Sequence, residues 1–315
     1  MFSKRINSLK KIIAKAFFKK WTIGVCNDVS IRDILTSKSF DPEITWMRTK
    51  TTKEFFADPF PVDIDNTGLK ILCESLVFDE DYGKISLLCL DRHLKQLSRK
   101  ILLDTKTHLS YPFFFRENGK TFVFPEARSS GKLSCYEFDA VANSLNFVQD
   151  VIDEPLLDST ILKTNGKYWV FGCSPLQRDN KYHLQIFYSG NLLGPYAKHP
   201  ASPVKKGLDG IRPAGNFIEI DGVVYRPAQN CKMQYGESVT INKITALSEH
   251  VFDEEPYVDV KVNKKRKSNR GINTLHTFNI VNDVIVVDGE YWFFAPLQQL
   301  KKFLRKPKKN MTTHP

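Results

Sequence analysis

Four carboxylates stand where this 315-residue chain would otherwise read as apolar strand, and carboxylates so placed can do acid–base chemistry. Asp58 lies in Phe55-Phe56-Ala57-Asp58-Pro59-Phe60, enclosed by aromatics and restricted to an extended backbone by the proline after it. Glu126 ends Phe122-Val123-Phe124-Pro125, and Glu74 ends Ile71-Leu72-Cys73. Asp158 sits between Leu156-Leu157 and Ser159-Thr160-Ile161-Leu162. Carboxyl groups that a repeating fold brings together acquire different pKa values, which is the requirement for breaking or making glycosidic bonds. Asp58, Glu126 and Asp158 are therefore the candidate catalytic groups, with Glu74 beside them in substrate binding. The alternative for each is a strand-end carboxylate that holds a blade through backbone amides, and that reading is expected to fit at least one.

Two Arg-Pro-Ala triplets, starting at Arg212 and Arg226, lie 14 residues apart. A guanidinium fork at a strand end can clamp a phosphate or a carboxylate. It can equally serve as an ion pair joining adjacent blades. Gln229 and Tyr235 extend the candidate binding set, with Glu237 following them. The histidines at 93, 108, 183, 199, 250 and 276 show no metal-ligand spacing. Asp63-Ile64-Asp65 has the spacing of metal-dependent sugar transferases, but it runs into Asn66-Thr67-Gly68, a hairpin turn by composition. No dinucleotide fingerprint, P-loop, nucleophile elbow or zinc-protease motif occurs, so neither metal nor cofactor is expected.

The elements that must hold these groups are strands. Asn118-Gly119, Asn165-Gly166, Asp221-Gly222 and Asp288-Gly289 each precede a run rich in aromatic and branched residues, and each reads as a two-residue hairpin turn. Their spacings of 47, 56 and 67 residues match one four-stranded blade with its loops. The expectation is an all-β, five-bladed β-propeller over residues 21–298. Blade 1 opens at residues 53–62, blade 2 covers 110–151, blade 3 covers 156–196 and blade 4 covers 211–247. The last hairpin, at 279–294, is completed by an N-terminal strand at 21–25 that closes the ring. Equivalent strand starts then converge on one channel mouth. The six cysteines form no CxxC pair and read as reduced thiols.

Charge is concentrated at the ends. Residues 1–27 carry seven Lys/Arg and residues 291–315 carry six, with no acid in either stretch, while the rest holds 33 basic against 35 acidic residues. A nucleic-acid groove across the body is excluded on that balance. Over residues 1–20, Ile6, Leu9, Ile13 and Phe17 recur at helical spacing, continued by Trp21, with lysines on the other faces. The expectation is a basic amphipathic helix, either on anionic lipid with help from the 299–315 tail or packed on the propeller. Lysines interrupt any signal-peptide core, and no transmembrane span is present. The chain is expected in the cytoplasm, with peripheral contact to the inner membrane face.

His108-Leu109-Ser110-Tyr111-Pro112, Phe124-Pro125-Glu126, Asp158, Gly194-Pro195-Tyr196, Arg212-Pro213-Ala214-Gly215, Arg226-Pro227-Ala228-Gln229 and Tyr235-Gly236 follow one another in order. The set resembles the N-terminal domain of glucosamine inositolphosphorylceramide transferases and is similar to a five-bladed propeller of the glycoside hydrolase family 43 kind. The resemblance implies a carbohydrate-active propeller in which Asp58 is the base and Asp158 the pKa-tuning aspartate. His108 and Tyr111 join the substrate-binding set on the same ground. No counterpart of the general-acid glutamate is found, and Arg212 stands near its expected place. The leading expectation is a glycosyltransferase that makes cell-surface polysaccharide or glycolipid from an activated sugar donor and a glycan or lipid-linked acceptor. An intracellular family 43-like hydrolase and a non-catalytic glycan-binding propeller are the alternatives.

Overall fold

Alternating strands joined by tight turns build five antiparallel sheets in the computed structural model, which describes residues 17–49 and 53–295. Blade 1 consists of Glu54–Ile64, Gly68–Val77, Gly83–Asp91 and Gln96–Leu103, from the axis outward. Blade 2 consists of Ser110–Glu117, Lys120–Glu126, Leu133–Asp139 and Ser144–Ile152. Blade 3 follows with Leu157–Thr164, Lys167–Ser174, Tyr182–Ser189 and the short Ala197–Lys198 and Lys205–Gly207. Blade 4 has Asp209–Pro213 and Ile218–Ile220 on Val223–Asn230, then Ser238–Leu247 and Phe252–Val260. Blade 5 draws on both ends of the chain: Ile272–Thr274 and Phe278–Val281 pair with Val284–Phe294, which pairs with Phe17–Cys26 and through it with Thr45–Trp46. The closure expected from the sequence is therefore present.

The turns at 118–119, 165–166 and 221–222 have both central residues at positive φ, between 50° and 76°, as a two-residue hairpin requires. The Asp288-Gly289 turn does not exist. Both residues lie inside Val284–Phe294, and the hairpin turns instead at Asn282-Asp283, with φ of 46° and 63°. Gly289 answers a spatial demand, because a Cβ there would stand 2.6 Å from the Trp46 ring. Asp65 does cap a turn, accepting from the amides of Thr67 and Gly68.

Residues 17–20, expected to finish a helix, are strand, paired with Tyr291–Phe294. Cross-strand aromatic contacts such as Phe17 on Phe294 and Phe18 on Phe293 hold them extended. The remainder of the expected helix and the 299–315 tail lie outside the described residues. A seven-residue helix, Ile31–Ser37, sits between the two blade 5 strands; Ser30 and Asp33 form its capping box, and Ile31, Ile34 and Leu35 face the core. No helix of the described residues is long and apolar enough to cross a membrane.

Apolar side chains fill the seams between blades, for example Phe56, Ile71 and Leu88 of blade 1 against Ile23, Val25 and Val286 of blade 5. Leu184, Ile186 and Phe171 of blade 3 meet Ile211 and Phe252 of blade 4 in the same way. All six cysteines are free thiols.

Candidate active site at the propeller mouth

One irregularity, repeated, builds the site. At the head of each of the first three inner strands, two paired positions on the second strand face three steps on the first: Ala57 to Phe60, Ser110 to Phe113 and Leu157 to Thr160. Each is a one-residue bulge. The second residue of each bulge, Asp58, Tyr111 or Asp158, has a left-handed backbone with φ of 50°, 44° or 50°. The extended backbone expected at Asp58 is thus absent despite Pro59. Left-handed φ is costly for side chains of this size. Here it aims the amide at a carboxylate of the preceding blade. Asp58 donates to Asp288 Oδ2 at 3.0 Å, Tyr111 to Asp58 Oδ2 at 3.1 Å, and Asp158 to Glu126 Oε2 at 3.1 Å. These buried hydrogen bonds, charge-assisted where the accepting carboxylate is ionised, offset the strain.

Asp58 is buried, and its Oδ1 accepts from Thr277 Oγ1 at 3.1 Å, with His276 Nε2 at 3.6 Å. Burial raises its pKa to about 6; His276 opposes the rise, and Asp288 and Asp158 reinforce it. His276 gives Nδ1 to Asp288 Oδ1 at 2.8 Å and lies flat on Trp21, with ring centroids 3.8 Å apart. Burial alone would lower the His276 pKa, but the Asp288 charge and hydrogen bond outweigh it and the net shift is upward.

Glu126 is driven to about 8 by burial and by Asp158, against the pull of Arg212. Glu74 is raised well above the ordinary range by burial and by Asp58 and Glu126. Its Oε1 has no hydrogen-bond partner among the described residues; His108 Nε2 is 3.6 Å away. Half-exposed His108 accepts the Gly83 amide on Nδ1, and burial lowers its pKa, so its neutral ring carries the proton toward Glu74.

Arg212 belongs to this mouth. Its Nε donates to Asp158 Oδ2 at 2.5 Å, its terminal nitrogen lies 3.7 Å from Glu126, and its plane is near the rings of Tyr182 and Tyr235. Gln229 donates to the same Asp158 oxygen at 3.0 Å and so orients it. Tyr235, 44% exposed, forms the rim and touches Trp21 and His276 edge-on.

Two expected binding residues are placed otherwise. Arg226 is a strut inside blade 4, bonded to both Glu254 oxygens at 2.8 and 2.6 Å and to the carbonyls of Gly210 and Ile211. It lies on the second strand of its blade and reaches Glu254 on the outermost strand, whereas Arg212 lies on the inner strand, nearest the axis. Tyr111 is wholly buried; its hydroxyl accepts the Gly215 amide at 2.7 Å and bonds Thr160 at 2.8 Å, tying blade 2 to blades 3 and 4. Neither is free to meet a substrate. Glu237 accepts the Met233 amide and shapes the rim loop.

His276, Thr277 and Asp288 join the site without having been expected there. Asp288 is hidden by the turn-like Asp-Gly pair, and Leu275-His276-Thr277 has no ligand spacing. The one signal in the sequence is a carboxylate following Val284-Ile285-Val286-Val287, the same interruption that marks Asp158. Asp58, His276 and Asp288 offer ligand atoms within 4.8 Å of one another, a donor set able to hold a metal ion. Two open surface hollows, of about 530 and 670 Å3, involve none of the mouth carboxylates.

The comparisons bear on the fold and on the family. Over 78% of its length the chain superposes on a family 43 β-xylosidase/α-arabinofuranosidase from a compost metagenome, with a TM-score of 0.52 and 11% identity, covering 93% of that enzyme. A family 117 glycoside hydrolase from Zobellia galactanivorans superposes on 89% of the chain and 92% of its own, with a TM-score of 0.53 and 12% identity. At such identities the likeness is one of fold. In sequence, glucosamine inositolphosphorylceramide transferase 1 of Arabidopsis thaliana is 31% identical over 234 residues, and that of japonica rice 28% over 232. Each alignment covers 72% of this chain but only 30–31% of the relative, so the chain spans about a third of those proteins. The family model for the N-terminal part of that transferase matches residues 44–293, which takes in the last strand of the ring as well as every mouth carboxylate, and the chain belongs to that family.

Proposed function

We propose that this chain is a carbohydrate-active enzyme whose reaction is glycosyl transfer, onto a glycolipid or another cell-surface glycan. The observation that carries the reading is the pair Asp58 and Glu126 in one mouth, with burial setting their pKa values near 6 and near 8. Between those values Asp58 is the ionised group and Glu126 the protonated one, which is the division of labour that acid–base chemistry at a glycosidic centre needs. In this reading Glu126 gives its proton to the departing oxygen and Asp58 takes one from the acceptor hydroxyl. Asp158 holds Arg212 across from Glu126 and keeps the acid oriented. His276 and Asp288 fix the Asp58 backbone and carboxylate.

The five carboxyl groups, with Arg212 and His276 among them, offer the hydroxyls of a sugar many hydrogen-bond partners. The name of the curated relatives supports transfer, and the fold shared with glycoside hydrolases supports action on sugars. Hydrolysis is the second reading, favoured because the same pair would activate water as readily as a hydroxyl. The purified chain should move labelled sugar from nucleotide- or lipid-phosphate donors to a glycan or lipid acceptor. Asp58→Asn and Glu126→Gln should each lower turnover by about 100-fold or more. Release of free sugar from aryl glycosides, with no transfer product, would establish the hydrolase instead. Undiminished glycan binding and cellular function in both variants would leave a binding module.

A further inference from the structure

The inner strands of blades 1–3 run from the mouth residues to hairpin turns at the opposite end, so residues 54–57, ahead of Asp58, stand on the mouth side. Blade 5 extends to that side as well. Trp21 lies at the level of the site, on His276, and its strand continues four residues past it to Phe17, opposite Phe294. At roughly 3.3 Å per residue that is a projection of about 13 Å. Its tip is aromatic: Phe18 and Phe293 pack on Phe78 of blade 1, and Phe17 packs on Phe294. The packing leaves Trp292 49% and Phe294 60% exposed. Lys19 sits over the Trp292 ring and Lys20 over Phe293.

Because Phe17 and Phe294 are directly paired, the two ends of the chain continue from one spot on this tip. Residues 1–16 carry five Lys/Arg and residues 296–315 six, with no acidic residue in either. Exposed tryptophan and phenylalanine beside a concentration of cations is the combination that binds the boundary of a negatively charged bilayer, with rings at the headgroup level and lysines against lipid phosphate. An exposed aromatic patch on a soluble face would have no comparable use for the eleven basic residues carried by the two segments that continue from it.

We propose that this tip is a membrane-docking edge that seats the propeller on an anionic lipid surface with its mouth turned toward the headgroups. In that pose a lipid-borne sugar or acceptor reaches Asp58 and Glu126 without leaving the bilayer; this consequence rests on the glycolipid reading above, whereas the docking itself does not.

The test uses the full chain and vesicles of phosphatidylcholine, with and without 30 mole per cent phosphatidylglycerol. The protein should sediment with the anionic vesicles and not with the neutral ones. Trp292→Ser/Phe294→Ser, with melting unchanged, should weaken sedimentation by at least about 10-fold. Replacing the lysines and arginine at 301–309 by glutamine should remove most of its salt dependence. Trp292 fluorescence should be quenched by brominated acyl chains. Wild-type sedimentation equal to that of the aromatic double variant, or no sedimentation at all, overturns the proposal. A double variant that alters only self-association in light scattering also overturns it and assigns the patch to a second copy of the chain. Turnover on water-soluble substrates separates the two readings: if it persists while vesicle binding fails, only docking falls, and if vesicles bind but no substrate turns over, only the catalytic reading falls.

Discussion

Burial decides the behaviour of the mouth residues, and it does so through protons. Asp58 and Glu126 hold protons in the folded chain up to about pH 6 and about pH 8, against ordinary values of 3.8 and 4.5. From roughly pH 4 to 8 the folded state therefore binds more protons than the unfolded one, and stability falls as pH rises. The contribution is complete below the unfolded values and gone above the folded ones; the raised His276 works in the same direction. Urea titrations across this window should show that decline, and Glu126→Gln should flatten it. Arginines 212 and 226 make a second comparison. Arg226→Lys should reduce stability by about 1–3 kcal/mol, the scale of a charged hydrogen bond lost in a buried site, with kcat/KM unchanged. Arg212→Lys should reduce kcat, because the fork that faces both Asp158 and Glu126 is lost. Turnover and chemical unfolding of the two variants, measured together, check the assignment. Asp58, Glu126 and Asp158 were legible in the sequence because a charge inside an apolar strand is itself a signal. Two like triplets gave no means of telling Arg212 from Arg226, since the face each occupies depends on which strand of blade 4 carries it.

At the level of elements, glycine has two separate uses in this ring. Gly119 has φ of 74° and open space within 4 Å of where a Cβ would stand, so only its backbone conformation matters. Gly289 has no such φ but lies against Trp46 and Ile272. Gly119→Asn should thus be nearly neutral, since asparagine accepts a left-handed backbone. Gly289→Ala should cost about 1–3 kcal/mol through overpacking at the Trp46 ring. Thermal melts of the two variants give the contrast. The same distinction explains why three of the four expected turns are present and the fourth is not: local sequence shows that a glycine is needed, while the reason for it at 289 comes from a ring 243 positions earlier. The bulges at Asp58, Tyr111 and Asp158 were not visible for a related reason. They depend on an acceptor in the neighbouring blade.

For the whole molecule, closure rests on Phe17–Cys26, seated between Val284–Phe294 and Thr45–Trp46. Removing residues 1–16 should leave a single cooperative melt. Removing 1–26 should instead expose the Val284–Phe294 edge, take Trp21 from His276, and give a broadened, aggregation-prone transition in calorimetry and light scattering. The five-bladed count was readable from aromatic strands and from turn spacing, although the last turn falls at Asn282-Asp283 and not at 288–289, and the closing strand from the need to protect an edge. The meeting point of the two ends was not, because register between residues so far apart is set by packing. That meeting point makes the order of the blades along the gene arbitrary. Phe17 and Phe294 are direct partners across the sheet, so a short linker could join them and new ends could be opened at the exposed Asn118-Gly119 turn. Such a circular permutant would keep every strand pair and every contact of the mouth while moving both free ends to the far side of the ring.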